Sequence, residues 1–555
     1  MFKSFLLKKY STPALSGYAL FAGLFFAAAL PPVVFQGIEL MALLPFLGLL
    51  LFPVTSGRVL FFCGWLGGSV ALGFYLRWFF DATPLIWLSI HSYGLSFLFT
   101  GFYWLSLACY SGIFFGAFLL LARRIATGTS LDMILFSFLW VLLEYIRTIL
   151  LSFHPLVYGS GTVLGGNGAL GLLGYALADY DVLRQFSSVG GVYALSFIAA
   201  LPSAALFVFI REAIQRPTFW PRRFFTASLG LVIFFAVVWA GGQALSERFF
   251  SSGASVKIAL VEATFFPEEW ILSGYNRRQE MTFRTLLEQA ASSEPAPDIV
   301  ILPESALIDI HDQVGDVLSS EKHQILITNA KNVTASTTKR NVTAVWDNRN
   351  GLVGFYEKHA LMAYGEYFPY LMWGATYLLG QSEWLAWQSS RRWFESGDGP
   401  SVFSTPFGVI GVRTCSEMLS PNFSIKSAAD GAKILIYTAS DAIVRGSPVL
   451  HAQNLAMGRI WATATRRSLA YVSNGGKSFV ISPQGEVLYK SLDLSDKRVT
   501  VQEVPLNNII TPAVRYSNRA IILLGILFMP IIFFPKLLPF AIRPSWKNKE
   551  VADVY

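Results

Sequence analysis

Ile299-Val300-Ile301-Leu302-Pro303-Glu304 is a short apolar run that closes on a carboxylate, and the arrangement returns twice further along the chain. Leu352-Val353-Gly354-Phe355-Tyr356 leads to Lys358, and Gly408-Val409-Ile410-Gly411-Val412-Arg413 leads to Cys415. Runs of this length read as buried strands. A base, a cation and a thiol therefore sit where predicted strands end. Acyl transfer through sulfur needs a base to take the thiol proton, a cation or N–H donors to hold the oxyanion, and a reachable sulfur. Glu304, Lys358 and Cys415 are chemically suited to these parts, although spacing alone does not bring them together.

The same texture extends from 255 to 503. The run 257–261 predicts a first strand, 275–291 an amphipathic helix, and 324–328 a further strand. Residues 341–347 and 352–356 form a predicted hairpin around Asn348-Arg349-Asn350-Gly351, because Asn-Gly suits a tight turn. After Cys415 come a strand at 433–437, a helix at 447–466, strands at 468–473 and 479–482, and a turn at Pro483-Gln484-Gly485-Glu486. About 250 residues of this kind suffice for one layered α/β domain with a substantial core.

The rest of the chain is different. Over 555 residues, 54% are hydrophobic and 14% charged, and the mean hydropathy is +0.49. A bilayer core of ~30 Å takes about 20 apolar helical residues to cross. Candidate spans are 15–35, 38–54, 59–80, 95–121, 131–150, 190–210, 224–245 and 520–534, about eight, with 84–94 apolar enough to lie in the interface. The chain thus reads as a polytopic α-helical membrane protein with an inserted α/β domain. The expected division is a membrane domain at 1–250, an extracytoplasmic domain at 251–510, and a final span with a basic tail at 511–555.

Arginine and lysine set the expected orientation. Lys3, Lys8, Lys9, Arg58, Arg123, Arg124, Arg211, Arg216, Arg222, Arg223, Lys536, Arg543, Lys547 and Lys549 fall on alternate segments. Those segments are cytoplasmic, which leaves the α/β insert outside. The first span is too long for a signal core and is retained. The net charge of +8 belongs to the cytoplasmic flanks; no basic, aromatic-interleaved patch marks a nucleic-acid partner. Of three cysteines, Cys63 and Cys109 lie in predicted spans, so Cys415 is the one exported thiol. A buried inert cysteine is the competing reading. There is no P-loop, GxGxxG after a strand, HExxH or CxxC, so neither cofactor nor metal is expected.

Three segments carry a resemblance. Leu302-Pro303-Glu304-Ser305-Ala306, Tyr356-Glu357-Lys358-His359 and Arg413-Thr414-Cys415-Ser416-Glu417 resemble the catalytic segments of the nitrilase (carbon–nitrogen hydrolase) superfamily. More narrowly, Gly365-Glu366-Tyr367-Phe368-Pro369, Gln453-Asn454-Leu455-Ala456-Met457-Gly458-Arg459, and Trp140-Val141-Leu142-Leu143-Glu144-Tyr145-Ile146-Arg147 in the membrane part are similar to the bacterial apolipoprotein N-acyltransferase family. The resemblance implies a nitrilase-like αββα sandwich held outside the inner membrane. It implies Glu304 as general base, Lys358 at the oxyanion and Cys415 as the nucleophile that becomes a thioester. It further implies a phospholipid acyl donor and a diacylated apolipoprotein acceptor, with a monomer as the acting unit.

Glu366, Glu417, Trp270 and Ser416 are the supporting residues so implied. Glu366 reads equally as a loop salt bridge, Glu417 as an exposed charge and Trp270 as an interfacial anchor. Glu144 is an intramembrane carboxylate expected to pair with Arg147 or another helix. Ser416 replaces the family's usual tyrosine, Ala439-Ser440-Asp441-Ala442-Ile443-Val444-Arg445 its asparagine-containing run, and Ala464 a glutamate. Aromatic runs at 367–373 and 384–387 are expected to meet lipid. A membrane-tethered hydrolase with water as acceptor would use the same residues, and a non-catalytic lipid- or lipoprotein-binding membrane protein would need none of them. A transporter lacks support, since no half-helix repeats appear.

Overall fold

In a computed structural model of the chain, the described residues are 12–33, 35–52, 56–159, 168–215, 220–248, 253–270, 272–306, 318, 322–329, 339–399, 401–494, 497–516 and 518–533. Lys3, Lys8, Lys9, Arg216 and the basic residues beyond 533 lie outside them, as do parts of the predicted spans 15–35, 38–54 and 520–534.

The apolar N-terminal half forms helices α1 (Thr12–Ala28), α2 (Gly57–Tyr75), α3 (Tyr93–Ile125), α4 (Asp132–Leu150), α5 (Ser187–Gln215) and α6 (Trp220–Arg248). Among the described residues, four runs are long and apolar enough to cross a membrane: α2, α3, α4 with the turn that continues it to Phe153, and α5. Three further apolar helices are shorter. The predicted span 38–54 is not one continuous helix. It breaks into turns at Ile38–Met41 and Leu49–Leu51 around a single helical stretch, Leu44–Gly48, whose first turn is set by Pro45. The span expected at 59–80 ends at Tyr75, where the chain tightens into a 3-10 segment, Arg77–Ala82.

Small residues let these helices approach closely, since apolar burial offers little drive inside lipid. A Cβ on Gly64 of α2 would lie 2.8 Å from the backbone of Gly116 on α3. Helix α5 is broken near its start, where Gly191 takes φ +63, and a buried Asp132–Arg211 pair (2.5 Å) ties α4 to α5. Glu144 and Arg147 do not pair with each other. Glu144 Oε1 accepts the Leu173 N–H at 2.7 Å, and Arg147 donates to the carbonyls of Leu170 and Gly171 at 2.8 and 3.0 Å. The largely buried segment 170–173, whose backbone needs partners, has recruited both charges.

The α/β part contains β1 (Ser255–Glu262), helices α7 (Pro267–Trp270) and α8 (Tyr275–Ala291), β2 (Ile299–Ile301), β3 (Ile325–Asn329), β4 (Val342–Asp347) and β5 (Gly351–Glu357). Helices α9 (Tyr370–Leu378) and α10 (Ser382–Arg392) follow, then β6 (Val402–Thr405), β7 (Gly408–Thr414), α11 (Pro421–Ala429), β8 (Ile434–Ser440), α12 (Pro448–Thr465), β9 (Ser468–Asn474), β10 (Phe479–Ile481), β11 (Val487–Lys490) and β12 (Arg498–Pro505). A last helix, α13 (Arg519–Phe533), returns to apolar sequence. The strands form two six-stranded sheets ordered β12-β1-β2-β3-β4-β5 and β11-β10-β9-β8-β7-β6. The central strands β1, β2, β3 and β7, β8, β9 run parallel within their sheets.

Parallel strands covered on both faces need unbroken apolar runs, which is what β2 and β8 present. Ile258, Ile299 and Ile327 of one sheet meet Ile410, Ile434 and Val472 of the other in a shared core. The outer face of the first sheet packs on Phe283, Leu286, Leu287 and Ala290 of α8. That of the second, with Leu435, Tyr437 and Tyr471, packs on Met457, Ile460 and Trp461 of α12. The layers are therefore helix, sheet, sheet, helix. Helix α12 is framed by the Ser447 cap and by Arg466 in the left-handed conformation. It belongs to the same core as the membrane helices, and its Gln453 Nε2 donates to the Tyr75 carbonyl at 2.8 Å. That contact seats the second sheet on the apolar half of the molecule.

Candidate active site

Strand ends bring Glu304, Lys358 and Cys415 together. Lys358 is buried (2% exposed) between two carboxylates, with Nζ 3.0 Å from Glu366 Oε2 and 3.6 Å from Glu304 Oε1. Glu304 and Cys415 line one cavity with it. Cys415 follows β7 directly and holds φ at +47, a sparsely populated conformation for a residue with a Cβ. The turn lifts sulfur out of the strand and into a cavity of about 250 Å³ that Glu304, Lys358 and Trp270 also line. Glu366 is thus a direct ion-pair partner of Lys358. Trp270 ends α7 on the cavity wall, with its ring N–H donating to the Phe265 carbonyl at 3.3 Å.

The electrostatics favour a neutral thiol beside a receptive carboxylate. Burial pushes the Cys415 thiol well above its usual range and Glu304 pushes the same way, against Lys358. Burial also raises the Glu304 carboxyl, and Glu366 adds to this, while Lys358 and Asn341 oppose it. Burial works against the Lys358 charge, but Glu304 and Glu366 overcome it and hold the amine above the ordinary lysine range. Lys358 is therefore a permanent cation at neutral pH.

Asn341 escaped the sequence reading. Its Nδ2 donates to Glu304 Oε1 at 2.8 Å and to Glu366 Oε1 at 2.7 Å, while Asn329 Nδ2 fixes its Oδ1 at 2.8 Å. The signal was in the hairpin: Val342 pairs with Glu357, so the next residue outward faces Lys358, whose N–H donates to the Asn341 carbonyl at 2.8 Å.

Glu417 is not an exposed charge. It is fully buried, with Oε1 accepting from the Tyr356 hydroxyl (2.5 Å), the His359 N–H (2.9 Å) and the Ala360 N–H (3.2 Å), and Oε2 from the Thr414 N–H (2.9 Å). One carboxylate thereby clasps the loop that carries Lys358 to the turn that carries Cys415. Thr414-Cys415-Ser416-Glu417 is a capping box, the T-x-x-E pattern that marks a helix start. Ser416 donates to the Ala360 carbonyl at 3.0 Å. It stands in the wall between the Cys415 cavity and a second, mostly apolar one of about 150 Å³ lined by Trp78, Phe79, Tyr103, Leu107 and Leu151 of the membrane part.

Among the other departures, Ile443 and Val444 line the Cys415 cavity. Arg445 at φ +48 pairs with Glu268 of α7 at 2.5 Å and donates to the Asp81 carbonyl at 2.9 Å. Ala464 is buried within α12. Of the aromatic runs expected to meet lipid, Tyr367, Phe368 and Leu385 are instead buried, while Tyr370, Leu371 and Trp387 are exposed, as are Tyr377 and Leu378 at the end of α9. Among the described residues no cluster of His, Cys, Asp and Glu could hold a metal ion.

Comparison with known proteins agrees on both halves. Residues 264–511 match the carbon-nitrogen hydrolase family, and residues 22–205 match the apolipoprotein N-acyltransferase N-terminal domain. The chain is 27% identical to the apolipoprotein N-acyltransferase of Azotobacter vinelandii, over 83% of this chain and 85% of that one. It is 25% identical to the protein of the same name from Pseudomonas aeruginosa, over 91% and 93%. An Aquifex aeolicus relative is 26% identical, over 66% and 74%. With a membrane domain and a two-sheet hydrolase domain matched in the same order, this chain belongs to the apolipoprotein N-acyltransferase family, within the carbon–nitrogen hydrolase superfamily.

Proposed function

We propose that the protein moves a fatty acyl group from a membrane phospholipid, through a thioester on Cys415, to the α-amine of the diacylglyceryl-cysteine that begins an apolipoprotein. The observation that carries this reading is the shared wall at Ser416. The cavity that holds the thiol with Glu304 and Lys358 shares Trp78, Met362, Ser416 and Leu419 with an apolar cavity at the junction of the membrane part and the α/β part, which suits a substrate with a polar ester and a long chain.

The first half-reaction follows from the geometry. Glu304 takes the Cys415 proton as sulfur attacks the ester carbonyl, and the Lys358 ammonium stabilises the oxyanion. Glu304 then returns the proton to the departing glycerol oxygen, and lysophospholipid leaves. Glu366 and Asn341 keep the ammonium and the base in register. The acyl chain lies past Ser416 among Trp78, Phe79 and Leu107, where water is scarce and the thioester persists. In the second half-reaction the lipoprotein amine attacks the same carbonyl and sulfur leaves.

The eight-span arrangement, with residues 251–510 on the periplasmic face of the inner membrane, fits the alternation of basic segments and the lipid nature of both substrates. Exposed Tyr377, Leu378 and Trp387 then rest in the outer leaflet. All the residues invoked come from one chain, so a monomer suffices.

Product analysis tests the reading. Incubation with phospholipid and a diacylated lipopeptide is expected to yield N-acylated peptide and lysophospholipid in equal amounts. Free fatty acid at the expense of N-acyl peptide would instead identify a hydrolase.

A further inference from the structure

The transfer leaves one proton unassigned. In the first half-reaction the S–H bond and the ester C–O bond break, the S–C bond forms, and Glu304 carries the single proton from sulfur to the glycerol oxygen. In the second, the N–C bond forms and the S–C bond breaks. An α-amine is mostly protonated at neutral pH, so nitrogen arrives with three protons and leaves in the amide with one. Glu304, again a carboxylate, returns one of the two lost protons to sulfur. The other requires a second acceptor within the cavity.

Asp441 stands in the right place with no other task in the mechanism. It follows β8 as Cys415 follows β7, and it lines the same cavity. Its carboxylate is 7% exposed and accepts from the Tyr471 hydroxyl at 3.1 Å to each oxygen and from the Ser473 hydroxyl at 2.9 Å. Among the described residues it has no cationic partner. A buried carboxylate held by neutral hydroxyls alone is a costly arrangement, and an incoming ammonium relieves it. Facing it are Tyr471 and Ser473 from β9, Glu304 beyond β2 and Cys415 beyond β7. Lys358 is engaged by Glu304 and Glu366.

We propose that Asp441 receives the α-ammonium of the acceptor and takes the proton that Glu304 does not, making it a catalytic residue of the second half-reaction only. Burial, reinforced by Glu304 and opposed by Ser473 and Tyr471, brings its carboxyl up to about 6. A group so placed accepts a proton from an ammonium and releases it at neutral pH. The inference rests on the acyl-transfer reading above. The bland alternative is that Asp441 only stitches the end of β8 to β9.

Single-turnover kinetics on the full-length protein separate the two. Cys415 is first loaded from phospholipid, then chased with diacylated lipopeptide or with hydroxylamine, a nucleophile that is largely uncharged at neutral pH. Asp441→Asn is expected to load within about twofold of wild type and to lose ~10²-fold in transfer to lipopeptide at pH 7. It is expected to regain most of that loss at pH 9, where the amine arrives neutral, and to release acyl to hydroxylamine at the wild-type rate. Transfer at pH 7 within about threefold of wild type, or a deficit equal at both pH values and toward hydroxylamine, overturns the role. A wild-type chain that never loads Cys415 overturns the acyl-transfer reading, and this inference with it.

Discussion

Replacing Glu417 by Gln tests the clasp between the two catalytic loops. The carboxylate serves four donors, three on Oε1 and one on Oε2. An amide of the same shape has one oxygen and one NH₂, so one side must turn a donor toward a donor. Pointing oxygen at Tyr356, His359 and Ala360 strands only the Thr414 N–H, whereas the opposite orientation strands the N–H groups of both His359 and Ala360, since only the Tyr356 hydroxyl can turn to accept. The first orientation wins, and it forfeits one hydrogen bond to a charged group, about 1.5–3 kcal/mol. The other three bonds fall from charged to neutral strength, about half their worth, for a further ~2–4.5 kcal/mol. The sum, about 4–7 kcal/mol, lowers the unfolding midpoint of a domain of this size by at least ~8 °C. It also frees Lys358 from Cys415, so phospholipid loading of the thiol slows ~10-fold or more. Thermal unfolding in detergent, followed by tryptophan fluorescence, and intact mass after phospholipid exposure read the two effects. A midpoint within about 1 °C of wild type together with normal loading would refute the clasp, because a carboxylate with four buried donors cannot lose its charge for nothing.

Asn341→Asp places a third carboxylate around one ammonium, which raises Glu304 beyond the rise that burial already gives it. A base with a raised pKa is protonated, and idle, up to a higher pH. The acid limb of the Cys415 loading profile is therefore expected to move upward, and an unmoved limb contradicts the Asn341 bridge. Leu107→Trp fills the apolar cavity itself, so loading from long-chain phospholipid is expected to fall about tenfold relative to a short-chain analogue; equal losses for both would remove the proposed chain path. Arg445→Ala unties α7 from the Asp81 carbonyl at a cost of about 1 kcal/mol. Amide exchange at Glu268–Trp270 is expected to quicken, and unchanged exchange would mean that the link does not restrain Trp270.

The parts of this protein that were legible in its sequence are those whose physics is local. Strands such as Ile299–Ile301 and Ile434–Ser440 are covered on both faces and so cannot hide their apolar runs, and the residues at their ends follow from the chain itself. Asn341 was hidden because its role arises from cross-strand register, although the Asn-Gly turn that sets the register was in view. Glu417 read equally as a support for the lysine and as a surface charge, while its capping-box spacing from Thr414 lay beside the thiol. Hydropathy placed apolar segments but not helix breaks: within 38–51 Pro45 starts a fresh helix, Leu44–Gly48, between two short turns. Glu144 was expected to pair with Arg147 or with another helix, and backbone groups of the segment 170–173 take up both charges. Asp441 could be seen in the sequence only as part of a matching segment. Its burial without a cation depends on three separate strands meeting.

The central claim is that Cys415 accepts acyl from phospholipid because Glu304 and Lys358 serve it. Purified wild-type protein is incubated with phospholipid alone, digested, and the peptide containing Cys415 is weighed with and without hydroxylamine, alongside Glu304→Gln. A fatty-acyl mass is expected on that peptide in wild type, removed by hydroxylamine and absent in Glu304→Gln. An unmodified Cys415, or the same adduct formed at wild-type rate without the carboxylate, would contradict it.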